Sequence, residues 1–152
     1  QTLYRTTPTR SHKAVNGYSY ALIGAAMEVH RALGPGYAES VYEEAMCIEL
    51  TRQGIAFVRQ HRFEIAYLGR AAGEGRLDLW VDGKPILELK AVEMLAPVHQ
   101  QQVLACLRAT DHELGLLINF NVAVLKDGVH RIIHTRHPSS PSRPLPPSAS
   151  LR

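Results

Sequence analysis

The chain of 152 residues predicts an α/β (α+β) fold, a mixed β-sheet flanked by helices, on three observations. Segments near 17–32, 38–53 and 97–110 carry apolar residues at helical spacing. Runs at about 55–60, 62–68, 76–82, 85–91, 114–120 and 129–134 alternate or are wholly apolar, as strands are. Two helical segments precede the strands and one interrupts them, so the helices are expected to cover both sides of one sheet.

Residues 1–16 are polar and are expected to form a flexible N-terminal segment, leaving 17–135 as the folded domain. The first helix places Leu22, Ala26, Val29 and Leu33 on one stripe, and Gly34-Pro35-Gly36 stops it. The second helix ends at Gly54. Across 76–91 the pattern is two alternating runs joined by Asp82-Gly83, a strong hairpin signal. In the first run Leu77, Leu79 and Val81 are expected on one face and Asp78 and Trp80 on the other. In the second, Leu87 and Leu89 oppose Ile86, Glu88 and Lys90, and Pro85 falls at the strand's start, where a missing N–H is tolerated. In the third helix Val98, Val103, Cys106 and Leu107 form the apolar stripe, with Gln102 at its border. Leu114–Phe120 reads as an interior strand, and 136–152, rich in Pro and Ser, as a disordered tail.

Composition narrows the class. A hydrophobic content of 45% without a long apolar run argues for a soluble globular protein, with no signal peptide or transmembrane segment evident. Cys47 and Cys106 lack any paired spacing and are expected to be reduced thiols, which suits a cytoplasmic protein. The net charge of +3 is unevenly placed. Arg5, Arg10, Lys13, Arg136, Arg143 and Arg152 lie outside residues 21–135, which hold eleven basic against fourteen acidic side chains. A mildly acidic body that grips phosphates needs local basic patches, with Arg59, Arg62, Arg70 and Arg76 the candidates, or help from the tails.

The chemistry concentrates at Asp78, Glu88 and Lys90. Glu88 and Lys90 are two apart on one strand and point the same way, and a tight hairpin brings Asp78 level with residues 86–88 on its neighbour. Two carboxylates that close either repel each other or hold a cation. An exposed strand face with a cross-strand salt bridge has the same spacing. The apolar flanks Leu87, Leu89, Ala91 and Val92 argue instead for an internal strand, where charges are costly unless paired or metal-bound.

Asp78-x9-Glu88-x-Lys90 resembles the signature of the PD-(D/E)xK nuclease superfamily, and Gly36-Tyr-Ala-Glu39-Ser-Val-Tyr42 resembles the GxxExxY motif of one family within it. The similarity extends through Ile23–His30, Leu33–Gly36, Ser40–Ala45, Glu88–Glu93, Pro97–His99 and Leu116–Phe120, roughly residues 18–134. Leu77 stands where the signature has Pro, a position that shapes backbone and binds no metal.

The resemblance implies a restriction-endonuclease-like core and a nuclease that hydrolyses nucleic-acid phosphodiesters, with DNA the expected substrate. Asp78 and Glu88, with the backbone carbonyl of Leu89 and Glu39, are the implied ligands of Mg2+ or Mn2+. Lys90 is the implied catalytic residue, positioning or deprotonating the attacking water, and Gln102 is expected beside the site. Read without the resemblance, Glu39 is an acid favoured by a helix N-terminus and Gln102 a polar edge to the core. Tyr42, His30, His99, Asn119, Trp80 and Phe120 are read as structural. Other readings stay open: a nuclease-fold binding module without useful turnover, action on RNA or a nucleotide, or a subunit of a larger assembly, whether a homodimer or a complex with a protein partner.

Overall fold

The structure, a computed structural model, describes residues 10–82 and 85–135. The expected N-terminal segment up to residue 9, the tail from 136, and Gly83 and Lys84 of the expected hairpin turn lie outside them.

Helix α1 (Arg10–Leu33) begins seven residues earlier than the apolar stripe suggests. Residues 10–16 contain neither Gly nor Pro, so a helix nucleated on the packed stretch propagates through them at little cost. Its stripe is buried at Leu22, Ala26 and Val29. Gly34 (φ 69°) and Gly36 (φ 110°) then take left-handed conformations that favour glycine, turning the chain into α2 (Glu39–Arg52).

Strands β1 (Phe57–Tyr67) and β2 (Arg70–Val81) form one long antiparallel hairpin where the sequence suggested three shorter strands. Its tip is Leu68-Gly69, both at positive φ as a two-residue hairpin turn requires. Gly69, Gly73 and Gly75 make residues 69–75 look like a loop, yet the ladder runs through them. At Gly75 the reason is visible: the ring of Phe63, its cross-strand partner, lies over it, and a Cβ there would stand 2.1 Å from Phe63 Cζ. Gly75→Ala is therefore expected to push Phe63 aside and cost about 1–3 kcal/mol in urea unfolding. Combined with Phe63→Ala the cost should be less than additive, since one contact is then counted twice.

Strand β3 (Ile86–Lys90) pairs antiparallel with β2 and parallel with β4 (Leu114–Asn119), reached through α3 (Pro97–Thr110). A 3-10 turn over Leu125–Gly128 leads to β5 (Val129–Ile133), antiparallel to β4. The sheet order is β1-β2-β3-β4-β5, and β3 is interior, as its apolar flanks required.

Two cores result. Leu79, Val81, Leu87, Leu89, Leu116 and Ile118 meet α1 and α2 on one face; Leu77, Ile86 and Leu117 meet Val103 and Leu107 of α3 on the other. Leu77 corrects the expected alternation, because it joins the α3 side instead of following Leu79 and Val81. The pleat is interrupted where Gln60, at φ 51°, sits between the paired positions Arg59↔Leu79 and His61↔Leu77. On β1 the consecutive residues Arg59 and Gln60 both reach acids of α2, Glu44 and Glu43, which a regular strand forbids. Val98 is a second correction, being half exposed at the start of α3.

Candidate active site

The two central strands deliver the acids. Leu79↔Leu87 and Trp80↔Ile86 fix the register of β2 against β3, and the same register continued by one residue sets Asp78 opposite Glu88. Each carboxylate is held by the other strand's backbone. The N–H of Leu89 donates to Asp78 Oδ2 at 2.9 Å, and the N–H of Asp78 donates to Glu88 Oε1 at 3.3 Å. Leu77 lies in the α3-side core while Asp78, its neighbour, lines the cleft on that same side.

Placing two carboxyls together in a half-buried site has an electrostatic consequence. Burial first, and then the negative charge of Asp78, push the Glu88 carboxyl up to about 8, with Lys90 acting the other way. The pair is therefore short of positive charge. All its donors are oxygens, which fits a hard divalent cation that completes its shell with water or phosphate oxygens. Among the described residues no three Asp, Glu, His or Cys side chains form a ready-made metal cluster.

Glu39 opens α2 and reaches Lys90, with Oε1 3.9 Å from Nζ. Burial raises its carboxyl and Lys90 lowers it. Lys90 itself ends β3 and is mostly shielded, with 23% of its side chain exposed against 44% for Glu39. Tyr42 explains how Glu39 comes to that place. One turn further along α2, its ring is fully buried and stacked on Phe120 at 4.6 Å, not turned toward the cleft with Glu39. Its hydroxyl donates to Gly34 O at 2.6 Å and accepts from the N–H of Tyr37 at 3.2 Å, pinning the turn that launches α2. Tyr42→Phe should keep the stack but leave both backbone groups unpaired, lowering stability by about 1–2 kcal/mol in denaturant unfolding.

These groups share a cleft of about 460 Å³ between the β1–β2 hairpin and α3. Glu39, Asp78, Glu88, Lys90 and Gln102 all line it, Gln102 as an exposed residue of α3. Leu89 contributes its backbone beside Asp78, while its side chain is buried with α1 and α2. Cys106, expected to be buried, is only partly so and lines the cleft; burial, then Glu88 and Asp78, push its thiol up to about 11, which makes it a poor nucleophile. Of the arginines proposed to grip phosphates, Arg76 lines the cleft; the sequence reading missed Phe63, Ile65 and the small residues Ala105 and Ala109, which also line it. Their alternation and helical spacing were legible, but nothing in one segment says which face meets α3.

Three of the residues read as structural, His30, His99 and Asn119, hydrogen-bond the backbone. His30 Nε2 bonds Val122 O at 2.8 Å, and His99 Nδ1 accepts the N–H of Ala96 at 3.0 Å, capping α3. Buried Asn119 bridges the N–H and C=O of Val92 at 3.0 and 2.9 Å, fixing the chain just beyond Lys90. Of the arginines, Arg59 is committed to Glu43 and Glu44, and Arg62 lies 3.7 Å from Glu74. No helix among the described residues is long and apolar enough to cross a membrane.

The structure thus brings together an acid pair on adjacent strands of a mixed sheet and a lysine two residues beyond the second acid, all lining one cleft. The chain belongs to the PD-(D/E)XK nuclease superfamily, whose model matches residues 16–132. The fold is accordingly restriction-endonuclease-like, and membership points to metal-dependent nuclease chemistry on nucleic acid. No curated protein and no solved structure gives a significant match.

Proposed function

We propose that the protein hydrolyses phosphodiester bonds of DNA with Mg2+ or Mn2+, as a member of the GxxExxY family. Asp78 and Glu88 would hold the cation, with the Leu89 carbonyl and Glu39 as further ligands. The observation that carries this reading is the acid pair itself: two carboxyls, each anchored by the opposite strand's backbone N–H, lie in one cleft with Lys90. A bound cation supplies charge neutralisation at the phosphate and a more acidic water. The chain's own residues do the rest. Lys90, held near Glu39, orients the attacking water or takes its proton, and its ammonium form steadies the charge that gathers on the phosphate oxygens. Gln102 hydrogen-bonds the water or a phosphate oxygen from the α3 side. Free Cys47 and Cys106 suit a reducing compartment such as the cytoplasm.

The test is cleavage of labelled linear and circular DNA with Mg2+, Mn2+ or EDTA, beside a Glu88→Gln/Lys90→Ala double variant. Metal-dependent cleavage by the wild type alone supports the assignment, and equal cleavage by both removes it. A second reading, a binding module without turnover, is favoured by the acidic excess over 21–135. It predicts DNA binding with no cleavage under any of these metals.

A further inference from the structure

The cleft has two chemically different halves, and the proposed hydrolysis uses only one. Asp78, Glu88 and Lys90, with Glu39 and Arg76, form the charged lining; Phe63 and Ile65 of β1 and Ala105 and Ala109 of α3 form the apolar one. Ala105 and Ala109 are four apart, hence on one side of α3, and both are exposed, so they leave an open wall. Ile65 is 43% exposed and Phe63 only partly buried, so apolar surface lies bare beside the acids.

We infer, resting on the nuclease reading, that this half is a base-binding slot and that the substrate is single-stranded DNA. Its unpaired base enters the slot while its phosphate meets the acid pair. Three considerations lead there. An aromatic ring sharing a cleft with small side chains holds a base by stacking, whatever its identity. Bases inside a continuous duplex are already stacked and cannot enter without unpairing. The third concerns the grip on phosphate. Residues 21–135 carry more acidic than basic side chains, and Arg59 and Arg62 lie against glutamates, which leaves Arg76 and Lys90 as the cations lining the cleft, a small ionic hold beside the row of phosphate contacts that duplex binders rely on. Stacking has to supply what that hold does not.

The experiment measures binding by fluorescence anisotropy with the full chain and Ca2+ in place of Mg2+. The probes are a short labelled oligodeoxythymidylate, the same strand with abasic sites, and a blunt duplex of equal length. The oligodeoxythymidylate should bind about tenfold or more tightly than either of the others. Ala105→Leu, which fills the slot from the exposed face of α3, should remove that advantage. Phe63→Ala should remove it as well, and Phe63→Trp should keep it. Equal binding of the normal and abasic strands, or an advantage that survives Ala105→Leu, overturns the slot. The two readings fail separately: metal-dependent duplex cleavage without base-dependent binding leaves the nuclease and sinks the slot. Base-dependent binding without cleavage leaves the slot and sinks the nuclease.

Discussion

Glu88→Gln is expected to lower cleavage about a thousandfold or more, a loss of several kcal/mol of transition-state stabilisation, and to weaken Mn2+ binding in the same preparation. It should also make the metal-free protein more stable at high pH. The substitution is nearly isosteric, and the amide oxygen can still accept the N–H of Asp78, so the local backbone is kept. The pH dependence follows from the raised carboxyl. Folded Glu88 holds its proton up to about 8, whereas the unfolded chain releases it near 4.5. Its contribution to stability is therefore complete below the unfolded value and is lost as pH rises through about 8. Wild type in EDTA should lose thermal stability across that window, and Glu88→Gln should lose much less. By the same linkage, cation binding to the wild type should release a proton and tighten as pH rises toward 8. Calorimetric Mn2+ titration and melts at pH 6 and pH 9 would read all of this. A variant that binds Mn2+ and cleaves like wild type would remove Glu88 from the site.

Lys90→Ala should lower single-turnover cleavage by about 10²–10⁴-fold while Mn2+ affinity changes little, separating chemistry from metal binding. The variant also removes the cation beside Glu39, so that carboxyl should rise further. Lys90→Arg divides the lysine's two roles. A guanidinium keeps the positive charge but does not give up a proton near neutrality, so recovery by Arg means charge stabilisation and no recovery means proton transfer. If Lys90→Ala weakens Mn2+ binding as much as it weakens cleavage, Lys90 serves the metal site and not the turnover step.

Much of the site was legible because strand period and hairpin spacing are local. Asp78 meets Glu88 since the register is set by the turn around residue 82 and by the alternation on either side, all within fourteen residues of sequence. The termini of α2 and α3 were legible for the same reason, through Gly36, Gly54 and Pro97. What went unread was decided by contacts between distant segments. The glycines of 69–75 look like a loop until Phe63 covers Gly75 from the partner strand. Leu77 looks like a companion of Leu79, yet it packs with Val103 and Leu107 of α3.

The sequence by itself determined the mixed sheet, the helical layers and the meeting of Asp78, Glu88 and Lys90, because each follows from residues close along the chain. Tertiary structure alone decided that Glu39 reaches Lys90 from another layer and that Phe63 shares one cleft with Ala105 and Ala109. It also set the proton affinity of Glu88. The physical reason is common to all three: burial and long-range packing act on groups far apart in sequence, and neither periodicity nor spacing encodes which distant surface a side chain will meet.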